Sequence, residues 1–135
     1  MISKIDYEKL LKYWLPVFLW CSVIYYLSSI PDLKSDLPNR WDFVFRKISH
    51  MMEYGILVFL SFRTFRQNMG FRRSLACAVV FSITYALTDE YHQTFVGGRS
   101  GSFSDVFIDS LGIFMSVFLI DKKLINVSIK KEQDR

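Results

Sequence analysis

Cysteine is nearly missing from this chain: two in 135 residues, Cys21 and Cys77, both inside apolar runs and without metal-ligand spacing. That argues against a disulfide framework or a cysteine-held metal, and both thiols read as small buried hydrophobes. Internal repeats and low-complexity stretches are absent, and the length suits one domain (1–135) but not two. Charge is absent from Tyr13 to Pro31. The run WLPVFLWCSVIYYLSSI in that stretch is long enough to cross a bilayer, since about 20 residues at 1.5 Å rise span a ~30 Å hydrocarbon core. A secretory signal is the competing reading, but the run is too long and lacks a small-x-small cleavage pattern, so an uncleaved membrane helix is expected. Pro16 falls in its first turn, where proline is tolerated.

What is abundant is apolar and aromatic: 51% and 17% of the residues, with thirteen Phe. Composition alone still accommodates a soluble helical bundle. The chain predicts an all-α bundle of four transmembrane helices at about 13–30, 47–65, 74–94 and 104–120. The segment 31–46, with two prolines, is expected to be a loop whose Trp41, Phe43 and Phe45 lie at headgroup level. Gly70 breaks the basic link before the third helix, VGGRSGS forms the turn before the fourth, and Ser102 or Ser104 would cap that last helix. The polar tail 121–135 is expected to fray.

Only the first of these helices is free of charge throughout, so plain hydropathy misses the other three. The distribution of basic residues supports them. With both termini in the cytoplasm, lead, second link and tail carry twelve Lys and Arg, against five (Lys34, Arg40, Arg46, Lys47, Arg99) on the outside. This predicts a multi-pass protein of the cell membrane with the lipid bilayer as partner. Basic segments facing inner-leaflet headgroups leave no role for nucleic acid.

The same orientation gathers the polar residues of three helices at one outer end. Lys47, His50, Tyr54 and Ser61 share a face bordered by Glu53; Ser82, Tyr85, Asp89 and His92 share another, with Gln93 beside it; Asp105, Asp109, Gly112 and Ser116 share a third. Gly112 and Ser116 form a small-xxx-small pair that admits a close helix. Ionisable groups at this depth should face the bundle interior. They could satisfy one another, Arg99 forking onto Asp105 or Asp89 and Lys47 onto Glu53. Two cations cannot neutralise the five carboxylates Glu53, Asp89, Glu90, Asp105 and Asp109, so protonation, a cation or a ligand amine must make up the balance. The spacing matches no dedicated metal motif, so no metal site is assigned and the cofactor stays open.

The pattern E-x-x-Q-x-F-x-x-G-R followed by D-x-x-x-D-x-x-G (Glu90, Gln93, Phe95, Gly98, Arg99, Asp105, Asp109, Gly112) resembles the signature of the VanZ-like family of small bacterial membrane proteins. YYLSSIP (Tyr25–Pro31) and K-x-x-H-x-x-E-Y (Lys47, His50, Glu53, Tyr54) extend the resemblance to roughly residues 14–120. Gly97 replaces a proline, and Ser116 a second glycine, common in relatives. The resemblance implies an envelope membrane protein of a family named for low-level teicoplanin resistance. The pocket would bind a lipid headgroup, a lipid-linked cell-wall precursor or a glycopeptide, through Lys47, His50, Glu53, Tyr54, Asp89, Glu90, Gln93, Arg99, Asp105 and Asp109. The alternative is a membrane-embedded hydrolase or transferase acting on a lipid-linked phosphate, with His50, His92 or Glu90 as catalytic candidates and Arg99 and Lys47 on the phosphate. A cation-coupled transporter ranks third, because the charges at one end give no path across.

Overall fold

The structure, a computed structural model, describes residues 7–31, 39–99, 101 and 103–133, with the side chains of 39–40, 42–43, 103 and 124–133 excepted. Among the described residues the chain is all helix: α1 (Tyr7–Ser28), α2 (Asn39–Phe65), α3 (Phe71–Gln93) and α4 (Phe103–Gln133). Among the described residues, Tyr7–Ser28 is the helix long and apolar enough to cross a membrane by length and composition. The others carry charged residues toward both ends, such as Arg72, Arg73, Asp89 and Glu90 on α3.

Three boundaries differ from expectation. Helix α1 starts at Tyr7, ahead of the expected start, and Pro16 sits in the first turn of its α-helical stretch Leu15–Ser28, just after a π segment. A proline there cannot donate to the carbonyl four residues back and clashes with it. The chain responds with a wider π turn over Leu10–Trp14, closed by Leu15 N–H on the Leu10 carbonyl. The carbonyl that Pro16 leaves unserved, that of Lys12, accepts instead from Arg63 Nη2 at 2.7 Å, and Thr64 Oγ1 donates to the Tyr13 carbonyl at 2.8 Å. Helix α2 starts at Asn39, one residue past Pro38, so Trp41 and Phe45 lie on a helix and not in an interfacial loop. Residues 39–46 contain no Gly or Pro, so nothing interrupts the helix before Lys47. The side chain of Phe43 and the remainder of the expected loop, 32–38, lie outside the described residues. Helix α4 continues to Gln133 through the tail expected to fray, because no breaker follows Gly112. Ser104 sits within its first turn and Ser102 lies outside the described residues.

The contacts set an up-down-up-down order. Lys12 and Tyr13 of α1 meet Arg63 and Thr64 of α2, while Trp20 Nε1 donates to the Glu53 carbonyl at 2.9 Å, so α1 and α2 run antiparallel. Cys21 meets Tyr85 and Ser29 meets His92, so α1 and α3 run parallel. Lys47 meets Asp105 and Gly55 meets Ser116, so α2 and α4 run parallel. Helix α2 packs on all three others, whereas α1 packs on α2 and α3.

The closest crossing is that of α2 and α4. Gly112 lies directly against the Met51 backbone, where a Cβ would overlap the carbonyl, and Ser116 Oγ donates to the Gly55 carbonyl at 2.8 Å. The small-xxx-small pair therefore does what its spacing implied, with α2 as its partner.

Polarity is arranged inside out. Ser61, Thr64, Ser74, Ser82 and Asp109 are buried beside a core of Ile24, Leu57, Val58 and Ile113. Phe18, Val80, Phe107, Phe114 and Phe118 are exposed. A groove of about 630 Å³ along the α2–α4 seam is walled by Met52, Ile56, Phe59, Met115 and Leu119.

Candidate functional site

The site lies at the end of the bundle where α1 and α3 finish and the N-terminal halves of α2 and α4 meet. On α3 the buried residues are Ser74, Ala78, Ser82, Ala86 and Glu90, a row at spacing four, with Asp89 and Gln93 beside it. Small residues along the row bring the neighbouring helices close, and the row ends in a carboxylate pointing between them. This differs from the expected face. Ser82 and Asp89 point inward, but Tyr85 and His92 turn to α1. Tyr85 donates to the Cys21 carbonyl at 2.7 Å. His92 stacks on Tyr25 with ring centroids 4.6 Å apart, and its Nε2 lies 3.1 Å from Ser29 Oγ. Of the catalytic candidates, His50 and Glu90 share a cluster, while His92 helps fasten α1 to α3.

Around His50 stand Asp109 from α4, Glu90 from α3 and Glu53 one turn along α2. Nδ1 of His50 is 3.5 Å from Asp109 and 4.0 Å from Glu53, both long for an N–H···O bond. Asp109 is fully buried, and neither of its oxygens has a hydrogen-bond partner. One ring nitrogen of His50, one Glu90 oxygen and one Asp109 oxygen all lie within 4.8 Å of one another. Asp89 accepts from Gln93 Nε2 at 2.9 Å, one turn apart on the buried side of α3. The buried Tyr54 hydroxyl faces the Asp89, Asp109 and Glu53 carboxylates without a hydrogen bond.

The two cations behave otherwise than expected. Lys47 pairs with Asp105 across the α2–α4 seam rather than with Glu53, six residues further along α2. Arg99 forks onto the end of α1, donating from Nη2 to the Leu27 carbonyl at 2.7 Å and from Nε to the Ile30 carbonyl at 3.1 Å, in place of Asp105 or Asp89. The last carbonyls of a helix have no intrahelical donor, and a planar guanidinium satisfies two of them at once. The turn delivering Arg99 depends on Gly98, whose φ of 77° is a left-handed conformation that costs glycine little. YYLSSIP and the Gly-Arg of the fourth-helix signature are thus one structural unit. The carbonyls of Leu27 and Ile30 were missed as Arg99 partners because backbone acceptors leave no mark on side-chain spacing.

Four carboxylates (Glu53, Asp89, Glu90, Asp109) stand around His50. Arg99 reaches them through space, at Glu53. As ionised groups these four acids outnumber the positive charges of Arg99 and a protonated His50.

Fold and site together define a small helical bundle with its acids turned inward at one end. The chain belongs to the VanZ/LLP1 family, whose model matches residues 6–125. No curated protein and no solved structure matches it.

Proposed function

We propose that this chain is a multi-pass protein of the bacterial cytoplasmic membrane, with four membrane-crossing helices, both termini inside and the acidic end outward. Three observations support this reading. Large apolar side chains are exposed along the helices while serines, threonines and acids fill the interior, as lipid requires. Arg63, Arg66, Arg72, Arg73, Lys122 and Lys123 lie at the end opposite the acidic cluster, as the positive-inside rule asks of a cytoplasmic face. The family is one of small membrane proteins by resemblance, and α1 is apolar enough to anchor the chain.

In this setting the acidic end is an outward pocket for the positively charged part of an envelope ligand: an amine-bearing lipid headgroup, a lipid-linked cell-wall precursor or a glycopeptide such as teicoplanin. The observation that carries it is the group of four carboxylates around His50, with Lys47 tied to Asp105 and Arg99 tied to α1. A hydrolase acting on a lipid-linked phosphate would need Lys47 and Arg99 for the phosphate, and both are engaged elsewhere. The test is teicoplanin susceptibility of a bacterium carrying the chain or its Glu90→Gln variant. Resistance is expected to fall with the substitution while the amount of protein in the membrane holds steady. An unchanged inhibitory concentration would sink the reading.

A further inference from the structure

We propose that His50, Glu90 and Asp109 bind one divalent transition-metal ion of the zinc or manganese class. The donor atoms, one ring nitrogen of His50 and one oxygen from each carboxylate, all lie within 4.8 Å of one another. Ligands at about 2.1 Å from a tetrahedral ion stand roughly 3.4 Å apart, so closing on an ion takes about 1 Å of side-chain movement. The three donors come from α2, α3 and α4, so no run of sequence carries a ligand motif.

A second observation, independent of the clustering, points to a ligand. Asp109 is fully buried and aimed at the same centre, with no hydrogen-bond partner on either oxygen, and His50 Nδ1 is likewise buried without one. A buried carboxylate is normally hydrogen-bonded, paired or coordinated to a metal, since leaving it bare costs several kcal/mol. At 3.5 Å the two groups are too far apart to serve each other well, and an ion between them would serve both.

The donor chemistry narrows the ion. One imidazole nitrogen with two carboxylate oxygens suits Zn²⁺ or Mn²⁺ better than Ca²⁺ or Mg²⁺, which favour all-oxygen shells, or Cu⁺, which favours sulfur. The side chains of His50 and Glu53 are each 17% exposed, so the cluster opens on that side and leaves a fourth position for water or a ligand atom. Glu53 and Asp89 flank the three donors and remain for the ligand's own charge. This deepens the pocket reading above and rests on it for the direction in which the site opens.

The full chain, purified in detergent and stripped with a chelator, is titrated with ZnCl₂ and MnCl₂ by calorimetry, with metal analysis after desalting. One ion per chain is expected. His50→Gln and Asp109→Asn are expected to lose affinity roughly tenfold or more, while Asp121→Asn, on the exposed far part of α4, binds as the parent does. Co²⁺ offers a readout independent of affinity: visible d–d bands in the parent chain, weakened or shifted in His50→Gln. Less than a tenth of an equivalent bound by the parent chain overturns the proposal, whatever the variants do. So does parental binding by both folded site variants. A chain that binds no metal yet still confers Glu90-dependent resistance would overturn this inference and leave the pocket reading standing.

Discussion

At the scale of single residues, two positions carry geometry that no neighbour can supply. Gly112 lies where α4 meets the α2 backbone, and a Cβ there would overlap the Met51 carbonyl, which cannot swing aside as a side chain can. Gly112→Ala is therefore expected to cost about 1–3 kcal/mol, read as a lower thermal midpoint in detergent. Gly97→Ala, where nothing lies within 4 Å, should stay within about 0.5 kcal/mol of the parent. Arg99 is the other. Its fork spans the Leu27 and Ile30 carbonyls, and the single ammonium of a lysine does not reproduce it. Arg99→Lys should cost about 1–2 kcal/mol, with faster hydrogen exchange at the last turn of α1 and no comparable change in α4. Unchanged exchange there would remove the clamp. The sequence already singled out both residues, one by small-residue spacing and one by its place in the family pattern. It paired Arg99 with carboxylates, because sequence offers charged partners and hides backbone ones.

Among the elements, α1 shows how a local defect is repaired by a neighbour. Pro16 opens the helix, and Arg63 and Thr64 of α2 take up the carbonyls of Lys12 and Tyr13. If the proline is the cause, the repair matters less without it. Arg63→Ala should cost about 1 kcal/mol in the parent chain and less than half of that in a Pro16→Ala background, a coupling that a double-mutant cycle on thermal unfolding would read. Equal penalties in the two backgrounds would separate Arg63 from the proline. The helices themselves were legible from apolar runs and breakers to within a few residues at most ends. The early start of α2 and the long run of α4 were not, since a proline-bearing segment and a basic tail suggest helix ends where nothing local interrupts the helix.

For the whole molecule, the up-down-up-down order puts the acidic cluster at one end and the basic link at the other. At 1.5 Å per residue, α2 and α4 are about 40 Å and 46 Å long, more than a ~30 Å hydrocarbon core requires. Their charged ends can therefore stand clear of the lipid. The proposed orientation is open to direct measurement. In a chain with Cys21→Ala and Cys77→Ala, Gly97→Cys should react with a membrane-impermeant maleimide on intact cells, and Gln67→Cys only after permeabilisation. The opposite labelling pattern would invert the protein and place the acidic cluster inside.

The sequence by itself determined that the chain is helical, where its breakers lie, which family it belongs to, and that an excess of acids gathers near one end of three helices. Those are properties of local spacing and composition, and they can be read one segment at a time. Only the tertiary structure decided which polar groups face one another. It sent Arg99 and His92 to α1, joined Lys47 to Asp105, and set Glu90 and Asp109 against His50. A face predicted from one helix is only a direction, and what it meets depends on the crossings of the other three. Those crossings are set by the close approach at Gly112 and by the row of small residues leading to Glu90.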